Sequence, residues 1–150
     1  MLVSKSQGFT LLEVLITTTI ISILALVAAP SLSNFIKNDR LKTSANHLHR
    51  TFKLAQSEAV KRDQNVFLEK SSVNWIMKTE INSTLKTLYV FKPSHKTVSV
   101  DLIDLSISNI GEIVKSQEIL ISDSDSTTKD YRLCILKSGQ SWLIEGKQRC

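Results

Sequence analysis

A single ionisable side chain lies within a long apolar stretch near the start of the sequence. Between Phe9 and Ala29 that side chain is Glu13, and most residues around it are leucine, isoleucine and valine. As a helix the stretch is about 30 Å long, which is enough to cross the hydrocarbon core of a bilayer. A carboxylate in that core costs on the order of 2–3 kcal/mol, so it is expected to have a partner. Glu13 therefore indicates a membrane protein that assembles with other subunits.

The side chains that could support catalysis or bind a metal are scattered along the chain. His47 and His49 are two residues apart, so on a helix they point to different faces, and His95 follows a proline in a loop. Ser57 and Glu58 are adjacent but have no base to complete a nucleophilic site. A structural metal site needs about four ligands. The sequence therefore predicts no enzyme activity, no catalytic or metal-binding residue and no cofactor.

Two simpler interpretations of the first thirty residues are a secretory signal peptide and a plain amino-terminal anchor. A signal peptide is disfavoured because the apolar stretch is too long, Glu13 interrupts it, and Pro30 follows the nearest candidate cleavage site at Ala28-Ala29. A plain anchor agrees with the position of Lys5 before an apolar span, but it leaves the carboxylate unexplained.

The start of the sequence resembles the class III leader of type IV pilins and type II secretion pseudopilins. The resemblance rests on a contiguous motif at the beginning of the apolar stretch, Gly8-Phe9-Thr10-Leu11-Leu12-Glu13. It implies that prepilin peptidase cleaves after Gly8, that the Phe9 amine is then methylated, and that Glu13 serves assembly. The Phe9 amine of a neighbouring subunit would meet the Glu13 carboxylate, and burial of that pair would set the register between subunits. Pro30 also fits the family, in which a proline often kinks or melts the helix.

The helix is predicted to continue beyond Pro30 to about Arg62. Its apolar residues recur at spacings of four and three on one stripe. They are Leu41, Ala45, Leu48, Phe52, Ala55 and Ala59. A two-stranded coiled coil is disfavoured because the stripe spans fewer than about three heptads and has alanine at seam positions. We expect the stripe to pack on a sheet of the same chain.

After Asn65 the pattern changes to short runs of β-branched and aromatic residues between polar turns. The predicted strands lie at residues 66–68, 75–77, 88–91, 98–102, 119–121, 131–136 and 142–144. A hairpin is predicted between the last two strands, where Gly139 can adopt a positive φ. One long helix followed by antiparallel strands predicts an α+β fold, the lollipop of a type IV pilin, with the helix packed on a carboxyl-terminal β-sheet head.

A second resemblance, to the GspH/FimT group, covers residues 1 to about 65. It rests on the run Leu54-Ala55-Gln56-Ser57-Glu58-Ala59-Val60-Lys61-Arg62, in which Gln56 stands where arginine is common in the group. The group includes minor pseudopilin H of type II secretion and the FimT and FimU minor pilins of type IV pili. The resemblance implies a minor pilin or pseudopilin at the initiating tip of a filament.

The two cysteines, Cys134 and Cys150, lie near the end of the sequence. The resemblance places the head outside the membrane, where an oxidising compartment favours a disulfide between them. Cys134 could act as a nucleophile only if it were free and activated.

The tail that ends at Cys150 resembles the Gly-Arg-x-Arg tail of DNA-binding FimT pilins, with Lys147 for the first arginine and Arg149 as the second. Two cations on a tail tied down by a disulfide would contact DNA phosphates without reading bases. Lysine lacks the fork of a guanidinium group, so binding is expected to be weak and sensitive to salt. One alternative is that Lys147 and Arg149 belong to an ordinary solvated tail. Another is that the protein is a type II secretion pseudopilin H, which acts in protein export without binding DNA.

The net charge of the chain is +5, and removal of a leader that contains Lys5 leaves +4. An excess of this size could attract polyanions or anionic lipids, but it also fits an ordinary solvated surface.

The sequence predicts four segments in its 150 residues. They are a leader at residues 1–8, a transmembrane assembly helix at 9–29, an amphipathic half of the same helix at 30–63, and a β-rich head with a disulfide loop at 64–150. The resemblance implies a single pass through the bacterial inner membrane, with the head in the periplasm, and a position at the filament tip after assembly. The implied partners are other minor and major pilins or pseudopilins, prepilin peptidase and the inner membrane, with double-stranded DNA as a further hypothesis.

Overall fold

The structure, a computed structural model, describes residues 8–146 and 148–150. Residues 1–7 of the predicted leader and Lys147 of the predicted DNA-binding pair lie outside the described residues. The elements in chain order are α1 (Leu11–Arg62), β1 (Val66–Ser71), β2 (Asn74–Ile81), β3 (Thr84–Phe91), β4 (Ser99–Val100), β5 (Leu105–Ile107), β6 (Gln117–Ser122), β7 (Tyr131–Ile135) and β8 (Ser141–Glu145).

The chain divides into two compact units, the first ending at Ile36 and the second running from Lys37 to Cys150. The segment limits given by the sequence, including the one at residue 30, stay predictions.

The beginning of α1 is fixed by Thr10. Its hydroxyl oxygen accepts a hydrogen bond from the backbone N–H of Glu13 at 3.2 Å, which is an N-cap interaction with a glutamate at the third helical position. Further along, hydroxyl groups donate to carbonyl oxygens three or four residues earlier, which satisfies these polar groups within the helix itself. These residues are Thr17, Thr18, Thr19 and Ser22.

The helix α1 continues without interruption through Pro30. The melted segment that the family resemblance implies is therefore not found here, although proline removes one backbone hydrogen bond. An 18-residue window of α1 has a mean hydropathy of 2.4, and the large apolar side chains from Leu11 to Ile36 are exposed. By length and composition this part of α1 can cross a membrane.

The predicted apolar stripe of α1 forms one side of the core. All six of its residues are completely buried. They belong to one cluster with side chains from both sheets, including Trp75, Phe91, Ile119 and Leu133. The prediction that the stripe packs on a sheet of the same chain is confirmed.

The strands form two four-stranded antiparallel sheets, with the orders β3-β2-β1-β5 and β4-β6-β7-β8. Alternate side chains of the inner strands face the core, as Val66 and Leu68 of β1 and Ile119 and Ile121 of β6 do. The predicted α+β fold, a long amino-terminal helix packed on antiparallel sheets, is confirmed.

Several strands, β2 and β3 among them, are longer than predicted, and two further differences concern β4 and β5. Of the predicted strand at 98–102, Ser99–Val100 forms β4 and pairs with β6. The Asp101 N–H still donates to the Leu120 carbonyl of β6 at 2.9 Å, and the chain turns where the Leu102 N–H donates to the Val100 carbonyl at 2.8 Å. The strand β5, which pairs with β1, was not predicted since three residues are too few to show alternation. The hairpin between β7 and β8 is confirmed, and Gly139 has a φ of 79°.

Phe52 is the largest side chain of the α1 stripe and is completely buried. We expect Phe52→Ala to lower the free energy of unfolding of the head by about 3–5 kcal/mol, because it removes a buried ring and leaves a cavity. Leu54→Ala is a matched control, since Leu54 is 42% exposed on the same helix and should cost less than about 1 kcal/mol. Denaturant unfolding of the full chain in detergent, followed by tryptophan fluorescence, measures both. Equal losses in the two variants would contradict the packing described above.

Candidate functional site

The peptide bond between Gly8 and Phe9 lies just before α1 begins. Gly8, Phe9 and Thr10 have no regular secondary structure, and the Phe9 side chain is 82% exposed. Apart from its chain neighbours, no described atom lies within 4 Å of the position that a Cβ would take on Gly8. A protease needs an exposed backbone that is not tied up in secondary structure, and this bond meets that requirement.

Glu13 lies in the first turn of α1. It is exposed, and it is the single charged residue in the sequence from Phe9 to Ile36. Its carboxylate lies in the first turn of the helix, where the unpaired backbone N–H groups and the helix dipole interact favourably with a negative charge. Cleavage after Gly8 would create an amine on Phe9, so the motif itself can supply the complementary charge.

The second candidate site is the tail that ends at Cys150. A disulfide joins Cys150 to Cys134 of β7, with the two Cα atoms 5.6 Å apart, so Cys134 is not a free nucleophile. The backbone N–H of Cys150 donates to Glu118 Oε2 at 3.1 Å. Glu118 stands opposite Cys134 in the pairing of β6 with β7, and its Oε1 pairs with Arg132. A covalent bond and a polar contact therefore hold the tail against the second sheet.

Glu118 shapes the electrostatics of this tail. Its pKa is lowered, first by the hydrogen bond from the Cys150 N–H and then by the charges of Arg132 and Arg149. Arg149 is exposed, and its positive charge is partly offset by this carboxylate. The sequence offered no sign that an acidic residue would lie beside the predicted DNA-binding tail.

Two cations of α1 that could extend a basic surface are engaged elsewhere. Arg62 Nε lies 2.7 Å from Glu58 Oε2 in an ion pair, and Lys53 Nζ donates to Gln56 Oε1 at 3.3 Å. These contacts give no support to a continuous basic surface along the helix.

The histidines of α1 make structural contacts with the two sheets. His47 Nε2 lies 2.9 Å from Tyr89 Oη of β3, and His49 Nε2 lies 3.0 Å from Ser141 Oγ of β8. Burial, and after it the nearby charge of Lys53, lowers the pKa of His49. Within the described ranges, no group of three or more histidine, cysteine, aspartate or glutamate residues is arranged to hold a metal ion.

Gln56 joins two turns of the head. Its Nε2 donates to the carbonyl oxygens of Gly111 at 2.9 Å and Gly139 at 3.2 Å. A Cβ on Gly139 would overlap both the Gly111 carbonyl oxygen and the Gln56 amide, so the close approach requires glycine there. The residue that departs from the arginine of the GspH/FimT group thus has a definite packing role.

The roles of two residues in the candidate sites, Thr10 and Glu118, were not predicted from the sequence. The capping role of Thr10 had a signal in the sequence, because Thr10 and Glu13 have the Thr-x-x-Glu spacing of a capping box. Glu118 had no comparable signal, because its contact with the tail depends on the pairing of β6 with β7.

Two family models match the sequence. Residues 3–29 match the prokaryotic N-terminal methylation motif, and residues 44–142 match type II transport protein GspH. Among curated proteins, none matches the sequence significantly.

Solved structures with a similar fold include two from filament systems. The type IV minor pilin FimU of Pseudomonas aeruginosa has a TM-score of 0.64 at 16% identity, and the match covers 73% of this chain and 92% of that one. The minor pseudopilin EpsH from the type 2 secretion system of Vibrio cholerae has a TM-score of 0.58 at 14% identity, and the match covers 71% of this chain and 97% of that one.

A methylation motif at the start of a long helix, packed on antiparallel sheets, defines the class of type IV pilin-like proteins. The GspH model covers more than half of the sequence. The chain therefore belongs to the GspH family of minor pilins and pseudopilins.

The contact between Glu118 and the Cys150 N–H gives a testable pH effect. Reduction of the disulfide should release the tail and raise the pKa of Glu118, because the largest cause of its lowered pKa is lost. A carboxyl group whose pKa is lowered by folding stabilises the native state above its ordinary pKa and loses that effect as the pH falls. The stability difference between oxidised and reduced protein should therefore shrink on acidification.

Carbon NMR titration of the glutamate carboxyl groups measures this shift. Glu145 is the matched control, because its pKa is lowered by Lys129, whose Nζ lies 2.9 Å from Glu145 Oε1. An unchanged Glu118 pKa after reduction would show that the tail contact does not control this carboxyl group.

Proposed function

We propose that this protein is a minor subunit that is cleaved after Gly8 by prepilin peptidase, methylated on Phe9, and built into the initiating tip of a type IV pilus or a type II secretion pseudopilus. The observation that carries the proposal is the accessible Gly8–Phe9 bond directly before a membrane-length helix with one carboxylate, Glu13. Membership of the GspH family supports the same role.

Assembly in this proposal is driven by the apolar part of α1. Before assembly the lipid of the inner membrane covers these side chains, and the head lies in the periplasm. A subunit that leaves the bilayer must cover the same surface with the helices of its neighbours, since exposed apolar area of this extent is unfavourable in water. Pairing of Glu13 with a Phe9 amine then selects one register among the many that apolar contacts would tolerate.

The choice between the two filament systems stays open within this proposal. One similar structure comes from each system, and both share less than 20% of their residues with this chain. Likeness at this level supports the fold and does not favour either system. The alternative of a pseudopilin H that acts in protein export without binding DNA therefore stands beside that of a type IV minor pilin.

A DNA-binding role for the tail is a second candidate function. It is favoured by the exposure of Arg149 and by the disulfide that holds the tail in place. It is opposed by Glu118, whose carboxylate lies close enough to Arg149 for the two charges to interact. Any binding through Lys147 and Arg149 should be independent of sequence, because phosphate contacts carry no base information.

Glu13→Ala tests the assembly role. The variant should still enter the membrane, because its helix becomes more apolar, but its incorporation into filaments should fall roughly tenfold or more, since a Phe9 amine would be left buried without a partner. Thr19→Ala is the control, because the Thr19 hydroxyl already donates to Leu15 within its own helix. Immunoblots of membranes and of sheared filaments measure both quantities. Normal incorporation of Glu13→Ala would rule out the assembly role of this carboxylate.

The DNA hypothesis is tested by mobility shift with the full chain in a neutral detergent over a salt series. Two phosphate contacts predict a slope of about −2 for log K against log salt, and binding should disappear in the Lys147→Ala, Arg149→Ala double variant. Glu118→Gln should strengthen binding, because it removes the opposing charge.

Lys86→Ala with Lys92→Ala removes the same net charge away from the tail and should leave DNA binding unchanged. An absence of binding at low salt, or equal binding by both double variants, would refute the DNA-binding role of the tail. The assembly proposal would stand in either case.

A further inference from the structure

A cleft of about 480 Å³ opens at the end of α1, between the turn that follows the helix and the β2–β3 hairpin. Its volume is within the range of about 300–1,000 Å³ that is typical of small-molecule sites. The residues that matter for its chemistry are Asp63, Asn65, Phe67, Glu80, Asn82 and Asn109. Neither of the proposed roles uses this cleft.

Two left-handed turns set the walls of the cleft. The helix ends in a Schellman turn, in which the Gln64 N–H donates to the Ala59 carbonyl at 3.2 Å and Asp63 has a φ of 52°. The two residues between β2 and β3, Asn82 and Ser83, have φ values of 52° and 60°, as in a type I′ hairpin turn. Aspartate and asparagine tolerate this backbone conformation, so both walls are fixed by short, well-defined turns.

An aromatic residue, Phe67, is among the residues that line the cleft. Val66 and Leu68 point into the core, so Phe67 lies on the opposite face of β1, where it is half-buried. Its cross-strand neighbour Lys78 donates from Nζ to Glu69 Oε2 at 2.6 Å, an ion pair outside the cleft. Phe67 lines the cleft, and Lys78 is not among the lining residues.

The polar side chains that line the cleft are amides, carboxylates and one hydroxyl group. Asn109 Nδ2 donates to Asp63 Oδ1 at 2.7 Å, which fixes both side chains at one edge. The remaining lining residues are Gln64, Asn65, Glu80, Asn82 and Ser83. Each side-chain amide offers donors and an acceptor together, whereas a carboxylate offers acceptors.

We infer that this cleft binds a saccharide. All of its lining residues lie in the described part of the chain, and they include two carboxylates, Asp63 and Glu80, and no lysine or arginine. A phosphate or other anion would be repelled by this lining, and a lipid chain would leave its amides without partners. Neighbouring hydroxyl groups of a sugar match paired donors and acceptors, and the apolar face of a pyranose ring can lie on Phe67.

The test uses the full chain in phospholipid nanodiscs, so that no sugar-based detergent competes. Saturation-transfer difference NMR is recorded with three tetrasaccharides: chitotetraose, cellotetraose and maltotetraose. We expect saturable binding of at least one of them. Phe67→Ala should weaken it roughly three- to tenfold, in keeping with the contribution of an aromatic contact.

A second variant covers the case in which Phe67→Ala disturbs β1. Asn82→Gly keeps the turn, because glycine adopts a positive φ readily, and it removes one amide from the cleft, so it should also weaken binding. Asn46→Ala is the matched control, since the Asn46 amide donates to the Lys42 carbonyl on α1. If no tetrasaccharide binds, or if Asn82→Gly and Asn46→Ala bind equally well, the inference is wrong.

Discussion

The second unit of this protein depends on the burial of one stripe of α1. Its six side chains recur at spacings of three and four, and all are removed from solvent by strands of both sheets. Three of the six side chains are alanines, and Phe52 is the largest side chain of the stripe. Both sheets share one core with this part of the helix, so residues 37–62 of α1 and the strands belong to one compact unit.

Polar contacts on either side of the stripe fix the rotation of the helix. His47 reaches Tyr89 of the first sheet, His49 reaches Ser141 of the second, and Gln56 joins two glycine turns. Apolar packing alone would tolerate small rotations of the helix, whereas directional hydrogen bonds would be lost. Residue 56 is arginine in many members of the GspH/FimT group and glutamine here. In this chain the Gln56 amide binds the carbonyl groups of the turns at Gly111 and Gly139.

The structure shows that the positive charge of the tail ending at Cys150 is partly balanced by a nearby carboxylate. From the sequence, Lys147 and Arg149 form a short basic tail with the chemistry of a phosphate contact. In the structure the tail is tied to Cys134 and meets Glu118, which is itself paired with Arg132. A basic tail beside a carboxylate presents less positive potential than its sequence indicates, and this weakens the case for DNA more than the case for a structural subunit.

Local patterns in the sequence determined the long helix, its membrane-length apolar part, the buried stripe and most of the strands, because each depends on the spacing of residues that are near one another in the chain. The same is true of the Gly8–Glu13 motif, which needs no partner to be recognised. Tertiary structure alone decided the pairing of β5 with β1, the contact of Glu118 with Cys150, and the cleft around Phe67. Each of these features joins residues that are distant in sequence. Strand register and chain reversal bring such residues together, and the spacing of residues within a short segment carries no information about either.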